Sequence, residues 1–186
     1  MTLVSMAGFI PATLAVGFSL DAIQVDLEKN YNNIVHIDGN SFSILNSENT
    51  LVFDVRQQKE FDVSHIKMAI RIDPNVTNEA FIKKFNNQLK GKGIVFYCSV
   101  GQRSSRLASR LQPLLLTQGA KQVYNLKGGL FRWHNEQRPL IQNGQPTQFI
   151  HPFNPVWGLL IKEKRTIKFL PKKDSIKTPD KHITEH

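Results

Sequence analysis

Cys98 is the residue whose type and surroundings point most directly to chemistry. It is followed by Gly101, which lets a backbone curl tightly, and by Arg103, a permanent cation. A thiolate is a strong nucleophile, and a nearby cation or the amino end of a helix favours it over the thiol. Residues 98–104 therefore predict a loop that holds an anionic sulfur nucleophile, provided that solvent can reach the thiol.

Two regular elements must position this loop. Residues 94–97 form a continuous apolar run typical of a buried strand, and residues 103–117 carry leucines at helical spacing. Ligands of open α/β sheets bind at the carboxyl ends of strands, where the free N–H groups of the next helix attract anions. We expect a substrate to be held there, mainly by backbone N–H groups, at Ser99, Val100, Gly101, Gln102, Arg103 and Ser104. Arg103 can alternatively brace the loop, and Ser104 can equally be an ordinary first-turn helix residue.

Apolar runs and helical patterns alternate through the rest of the chain. Strand patterns occupy residues 34–37, 51–55, 69–72 and 122–125, and helical patterns occupy residues 57–61, 77–90 and 130–135. This alternation predicts an α/β domain with a mainly parallel central sheet flanked by helices. Residues 41–45 suggest a helical turn capped by Asn40 or Ser41, and residues 21–33 suggest a short polar connection.

Three motifs, in this order, resemble those of rhodanese-like domains. Residues 54–69 are similar to the element DVRxxxEFxxGHIxGA, and residues 98–104 to the active loop CxxGxRS. Residues 124–133 are similar to the closing motif VxxLxGGxxxW. The chain resembles a single-domain member of this family over residues 30–140, which implies a three-layer α/β fold.

The resemblance also implies a reaction and a set of roles. Cys98 becomes the catalytic nucleophile that takes a sulfane sulfur from thiosulfate or a persulfide, and a thiol or cyanide then accepts it. The chain's own chemistry agrees, since a second nucleophile can remove the outer sulfur of a persulfide in a ping-pong cycle. Asp54 and Arg56 would support the site structurally. We expect no cofactor and no metal, because no His, Asp or Glu set has metal-ligand spacing.

The first of the three motifs departs from the family pattern at two positions. Ser64 replaces a glycine, and Met68 stands where the motif has another glycine, so the local turn is altered. His65 can carry a proton or simply pack. One rival function is a cysteine-dependent phosphatase or arsenate reductase. Those enzymes resemble one another in a Cys-x5-Arg loop, whereas Cys98 and Arg103 give the shorter spacing Cys-x4-Arg. A second rival is a non-catalytic binding or regulatory module, although such modules commonly lack the cysteine.

Composition excludes several other classes. The chain has 186 residues and one cysteine, so it forms no intramolecular disulfide and no CxxC redox pair. Hydrophobic residues make up 40% and charged residues 21%, as in ordinary globular proteins. The net charge is +9, but no nucleic-acid motif accompanies it, and we expect no nucleic-acid partner.

The two ends of the chain differ from its middle. Residues 1–20 lack charge and are long enough for a signal peptide or membrane anchor, so we expect an exported or membrane-associated monomer. Residues 141–161 should form an extension that packs on the domain, pinned by His151 and Trp157. Residues 162–186 hold eight basic and four acidic residues, and we expect a flexible basic tail.

Overall fold

Five short parallel strands form the central sheet. The computed structural model describes residues 17–45 and 47–171. Its strands are β1 (Val35–Ile37), β2 (Thr50–Asp54), β3 (Ile70–Arg71), β4 (Gly93–Tyr97) and β5 (Gln122–Leu126). Their order is β1-β5-β4-β2-β3, and every neighbouring pair is parallel. β4 therefore lies at the centre of the sheet, and the residue that follows it emerges between flanking strands.

Helices cover both faces of this sheet. They are α1 (Leu20–Asn30), α2 (Gly39–Ser43), α3 (Gln58–Val63), α4 (Asn78–Leu89), α5 (Gln102–Thr117) and α6 (Gly129–Asn135). Side chains of β4 alternate: Ile94 and Phe96 enter a core with α4 and α5, whereas Val95 and Tyr97 enter a second core with α1, α2 and α6. The predicted three-layer α/β fold is confirmed.

The chain after α6 adds a hairpin and an irregular segment. The hairpin consists of the antiparallel strands β6 (Leu140–Gln142) and β7 (Gln145–Thr147). Ile150 and Ile161 are fully buried in the second core. Ile150 also forms a β-bridge with Ile167, and Thr166 is buried. Packed structure thus extends to residue 167, into the segment expected to be a tail, and residues 172–186 lie outside the described part.

Two local predictions were wrong. Residues 20–30 form helix α1 rather than a polar connection: Ser19 caps it by accepting the N–H of Ala22 at 3.1 Å, and Gln24 and Leu27 are buried. Helix α2 is capped by Asp38, whose carboxylate accepts the N–H of Ser41 at 2.7 Å, rather than by Asn40 or Ser41.

The apolar amino-terminal segment lies mostly outside the described residues, which begin at residue 17. Within residues 17–45 and 47–171, no helix combines the length and the apolar character needed to cross a membrane. The signal peptide or anchor expected at residues 1–20 lies mostly outside the described residues, and both it and the location of the protein stay predictions.

Helix α5 contains a proline that interrupts its hydrogen bonding. Pro113 has no N–H to donate to the carbonyl of Ser109, one turn earlier. The side-chain amide of Asn33, just before β1, donates to that carbonyl at 3.2 Å. Gln112 donates in turn to the carbonyl of Asn33 at 2.6 Å. The segment before β1 is therefore tied to the middle of α5.

Candidate active site

The loop that carries Cys98 is shaped by one glycine. β4 ends at Tyr97, Cys98 follows directly, and α5 begins at Gln102. Between them, Gly101 adopts φ +98°, a left-handed conformation that side chains disfavour. A Cβ at Gly101 would also lie 3.2 Å from Cδ1 of Leu27. The turn into α5 therefore depends on glycine for both conformation and space.

The carbonyl groups of the loop are held from behind by α6. The N–H of Leu130 donates to the carbonyl of Cys98 at 2.8 Å, and the N–H of Phe131 donates to that of Ser99 at 2.9 Å. This approach is possible only because residue 129 is glycine: a Cβ on Gly129 would lie 2.3 Å from the carbonyl oxygen of Cys98. Gly129, the second glycine of the closing motif, thus allows α6 to pack against the backbone of the Cys98 loop.

The backbone amides of the loop have no acceptors among the described residues. Within the described part of the chain, no N–H of residues 99–104 donates to a protein group, and the N–H of Ser105 is the first to do so, to the carbonyl of Gly101 at 2.9 Å. Six unpaired donors at the start of a sixteen-residue helix favour an anion nearby.

Arg103 is paired with a buried glutamate. Its guanidinium donates to both carboxylate oxygens of Glu60 at 2.8 Å and to Oγ of Ser99 at 2.9 Å. The hydroxyl of Ser99 donates in turn to Oε1 of Glu60 at 2.9 Å. The side chain of Arg103 is 24% exposed, whereas that of Glu60 is fully buried. Arg103 therefore braces the loop through its partner on α3 while it still lines the site.

The protonation of Glu60 follows from this pairing. Burial tends to raise its pKa, but the hydrogen bonds and charge of Arg103, helped by Arg56, lower the pKa of Glu60 to about 2. The pKa of Arg103 is raised, since its hydrogen bond to Glu60 and the nearby charge of Cys98 outweigh its own burial. Both groups are charged at neutral pH, and Cys98 lies within electrostatic range of Arg103.

Asp54 and Arg56 form a second buried pair outside the cavity. Nε and Nη2 of Arg56 donate to the two carboxylate oxygens of Asp54 at 2.9 and 2.6 Å, and Nη2 also donates to the carbonyl of Ser64 at 2.6 Å. Both side chains have no exposed surface. The pair connects the end of β2 to the turn after α3, and the structural role that the resemblance implied for it stays a prediction.

Cys98 lies beside a small cavity. The cavity measures about 90 Å³. Cys98 itself is only 1% exposed, so the expectation that solvent reaches the thiol directly was wrong. Two aromatic side chains of the carboxyl-terminal segment, Phe153 and Trp157, complete the lining of the cavity.

The predicted binding residues are divided between cavity and core. Those that line the cavity with Cys98 are Ser99, Val100, Gln102 and Arg103. Gly101 and Ser104 contribute no lining surface, and the hydroxyl of Ser104 donates to Oδ1 of Asn125 at 2.6 Å in the interior. The sequence-based prediction missed the roles of Glu60 and Phe153. Glu60 stood within a recognised motif, but nothing near it in sequence identified its partner.

His65 packs rather than facing the cavity. Its ring stacks on Phe61 with centroids 3.7 Å apart, and Nδ1 is hydrogen bonded to the carbonyl of the same residue at 3.0 Å. No group of three His, Cys, Asp or Glu side chains in the described ranges is arranged to hold a metal ion.

Comparison with known proteins finds a family model and several relatives that match this chain. The family model described as "Rhodanese-like domain" matches residues 43–136, just over half of the chain. A tRNA uridine(34) hydroxylase of Buchnera aphidicola is 33% identical over 110 residues, which cover 58% of this chain and 32% of that protein. That of Pelagibacter ubique is 30% identical over 129 residues, 67% of this chain and 41% of the relative. The chain spans less than half the length of either relative. A solved thiosulfate sulfurtransferase from Pseudomonas aeruginosa aligns with a TM-score of 0.49 at 16% identity, over 68% of this chain and 23% of that one.

Proposed function

Because the chain belongs to the rhodanese-like domain family, we propose that it is a sulfurtransferase in which Cys98 carries a transferable sulfur atom as a persulfide. One observation supports this proposal above the others. Cys98, the sole thiol of the chain, adjoins a cavity of about 90 Å³ whose loop has unpaired backbone N–H groups. A persulfide anion is small enough for this volume and supplies the negative charge that such donors stabilise.

The proposed cycle has two displacement steps. The Cys98 thiolate attacks the sulfane sulfur of thiosulfate, the S–S bond of the donor breaks, and sulfite leaves with the bonding electrons. The outer sulfur of the resulting persulfide then accepts attack by the carbon of cyanide or by a thiolate. The S–S bond to Cys98 breaks, thiocyanate or a new persulfide leaves, and the thiolate is restored.

The backbone amides of the loop and the side chain of Arg103 have different roles in this cycle. The amides of Ser99, Val100, Gln102 and Arg103 stabilise the charge on the outer sulfur, because these residues line the cavity and their N–H groups have no acceptor within the described residues. Arg103, neutralised in part by Glu60, keeps the loop in this shape and adds a cation at the rim. The donor is therefore held by amides more than by a free charged side chain.

Sulfur loading of the full chain tests the proposal. After incubation with thiosulfate, intact-mass analysis should show one added sulfur atom, and addition of cyanide should remove it and yield thiocyanate. The isosteric variant Cys98→Ser should show neither change. A native chain that gains no sulfur from thiosulfate or from glutathione persulfide would contradict the proposal and favour a non-catalytic module. Hydrolysis of a phosphate ester by the native chain would favour the phosphatase rival instead.

The relatives favour a second candidate, in which the chain acts on a uridine of tRNA. The identity of 33% to a protein of that name and the net charge of +9 support it. The cavity is well below the roughly 300 Å³ of typical small-molecule sites, so a base would enter only after the aromatic side chains move. Mass spectrometry of tRNA from cells with and without the gene tests this candidate. Loss of a hydroxylated uridine, restored by the native chain but not by Cys98→Ser, would support it, and unaltered tRNA would contradict it.

A further inference from the structure

Phe153 and Trp157, which we call the aromatic cover, are the aromatic residues that line the cavity beside Cys98. The ring of Phe153 lies over Arg103, with its centroid 4.9 Å from the guanidinium carbon. With the cover in this position Cys98 is 1% exposed. A sulfur acceptor larger than the cavity therefore cannot touch the outer sulfur of a persulfide unless the cover moves.

Hydrogen bonds to His151 and Asn154 hold the backbone of the segment that carries the cover. His151 is buried, and its Nδ1 accepts the N–H of Phe153 at 2.9 Å. The N–H of Trp157 donates to Oδ1 of Asn154 at 3.0 Å. Phe153 itself is 36% exposed and has φ +67°, a left-handed conformation that disfavours a large side chain. The contact with Arg103 therefore helps to hold the Phe153 ring at the cavity.

From this geometry we propose that the aromatic cover determines which acceptors can use the site. In the closed position it admits small anions such as thiosulfate and cyanide, whose few atoms fit about 90 Å³. Thiols of the size of glutathione, and cysteines of partner proteins, reach the persulfide only when Phe153 leaves Arg103. This inference rests on the proposed function for its choice of acceptors, but not for the accessibility of the thiol.

Removing the ring of Phe153 should shift acceptor preference. Phe153→Gly suits the left-handed backbone and deletes the ring, and Phe153→Asn, which also tolerates that conformation, serves if the glycine variant fails to fold. Val156→Ala is the matched control, because Val156 lies in the same turn, is 59% exposed and does not line the cavity. Transfer from thiosulfate is measured for each full chain with cyanide and with glutathione as acceptors.

We expect the glutathione-to-cyanide ratio of kcat/KM to rise about tenfold in Phe153→Gly, the factor expected from the loss of one such cation–π contact. The ratio of Val156→Ala should equal that of the native chain. Cyanide serves as the internal reference, since it fits the closed cavity and reports any change in persulfide reactivity. An unchanged ratio in Phe153→Gly would overturn the inference.

Alkylation of Cys98 separates this inference from the proposed function. The rates of modification by iodoacetamide and by the bulkier N-phenylmaleimide are followed by intact mass, which requires no sulfur transfer. Preferential acceleration of the bulkier reagent in Phe153→Gly supports the cover even if the native chain transfers no sulfur. Equal rates in the native chain and the variant refute the cover even if thiocyanate is formed.

Discussion

Replacing Glu60 by glutamine removes a buried charge from the loop while preserving the shape of the side chain. The carboxylate accepts two hydrogen bonds from Arg103, one from the hydroxyl of Ser99 and one from the backbone N–H of Gln57, in a site where its own side chain has no exposed surface. The two bonds from Arg103 measure 2.8 Å, the bond from Ser99 2.9 Å and the bond from Gln57 3.1 Å. Glutamine can accept some of these bonds, but its NH₂ group meets a donor and its charge is absent.

The pKa of Glu60 gives the size of the effect. Folding lowers that pKa from 4.5 to about 2, so the native state holds the proton more weakly than the unfolded chain does. A shift of this size corresponds to about 3 kcal/mol, and the partial exposure of Arg103 reduces the expected value to about 2–3 kcal/mol. This stabilisation is fully present above about pH 4.5 and is lost as the pH falls towards 2.

Denaturant unfolding at a series of pH values measures the effect. The free energy of unfolding of the native chain should exceed that of Glu60→Gln by about 2–3 kcal/mol at pH 7. This difference should shrink as the pH falls from 4.5 to 2. Glu163→Gln is the control, because Glu163 forms an exposed pair with Arg165 and its removal should cause no measurable change. Parallel curves for the native chain and Glu60→Gln across this pH range would refute the reasoning.

Three further substitutions test other parts of the structure. Gly129→Ala places a Cβ 2.3 Å from the carbonyl oxygen of Cys98, so we expect a loss of at least about 3 kcal/mol in thermal unfolding and no sulfur loading. A native melting temperature would contradict the close approach. Met68→Gly relieves a left-handed φ of +68° at an exposed residue and should stabilise by about 0.5–1 kcal/mol in denaturant unfolding. A lower midpoint would show that no strain is stored there. Arg56→Lys keeps the charge but loses the paired bonds to Asp54, so it should cost about 2–3 kcal/mol, and a native-like midpoint would contradict that role.

The core of the site could be predicted from sequence because it is local. The apolar run before Cys98, the glycine at 101 and the leucine spacing of α5 are adjacent in the chain, and each has one obvious structure. The same holds for α4, which begins after the cap Thr77 as its sequence indicates. Local signals therefore sufficed for the strand, the loop and the helix that surround the thiol.

Contacts between distant residues could not be predicted in this way. Glu60 and Arg103 are 43 positions apart, and no local pattern pairs them. Helix α1 was missed because its buried positions Gln24 and Leu27 alternate with exposed polar residues and give only a weak stripe. Residues 151–158 have no repeat that would indicate which surface they cover, so the position of Phe153 at the cavity became visible only in the structure.

The break in helix α5 at Pro113 has a mechanical consequence. The helix that begins at the Cys98 loop is incomplete by itself, because the carbonyl of Ser109 takes its hydrogen bond from Asn33 rather than from the helix. These hydrogen bonds couple the segment before β1, at the edge of the sheet, to helix α5. Local unfolding of either element breaks them and destabilises the other. Amide hydrogens in the middle of α5 and those flanking β1 should exchange with solvent deuterium as one cooperative unit.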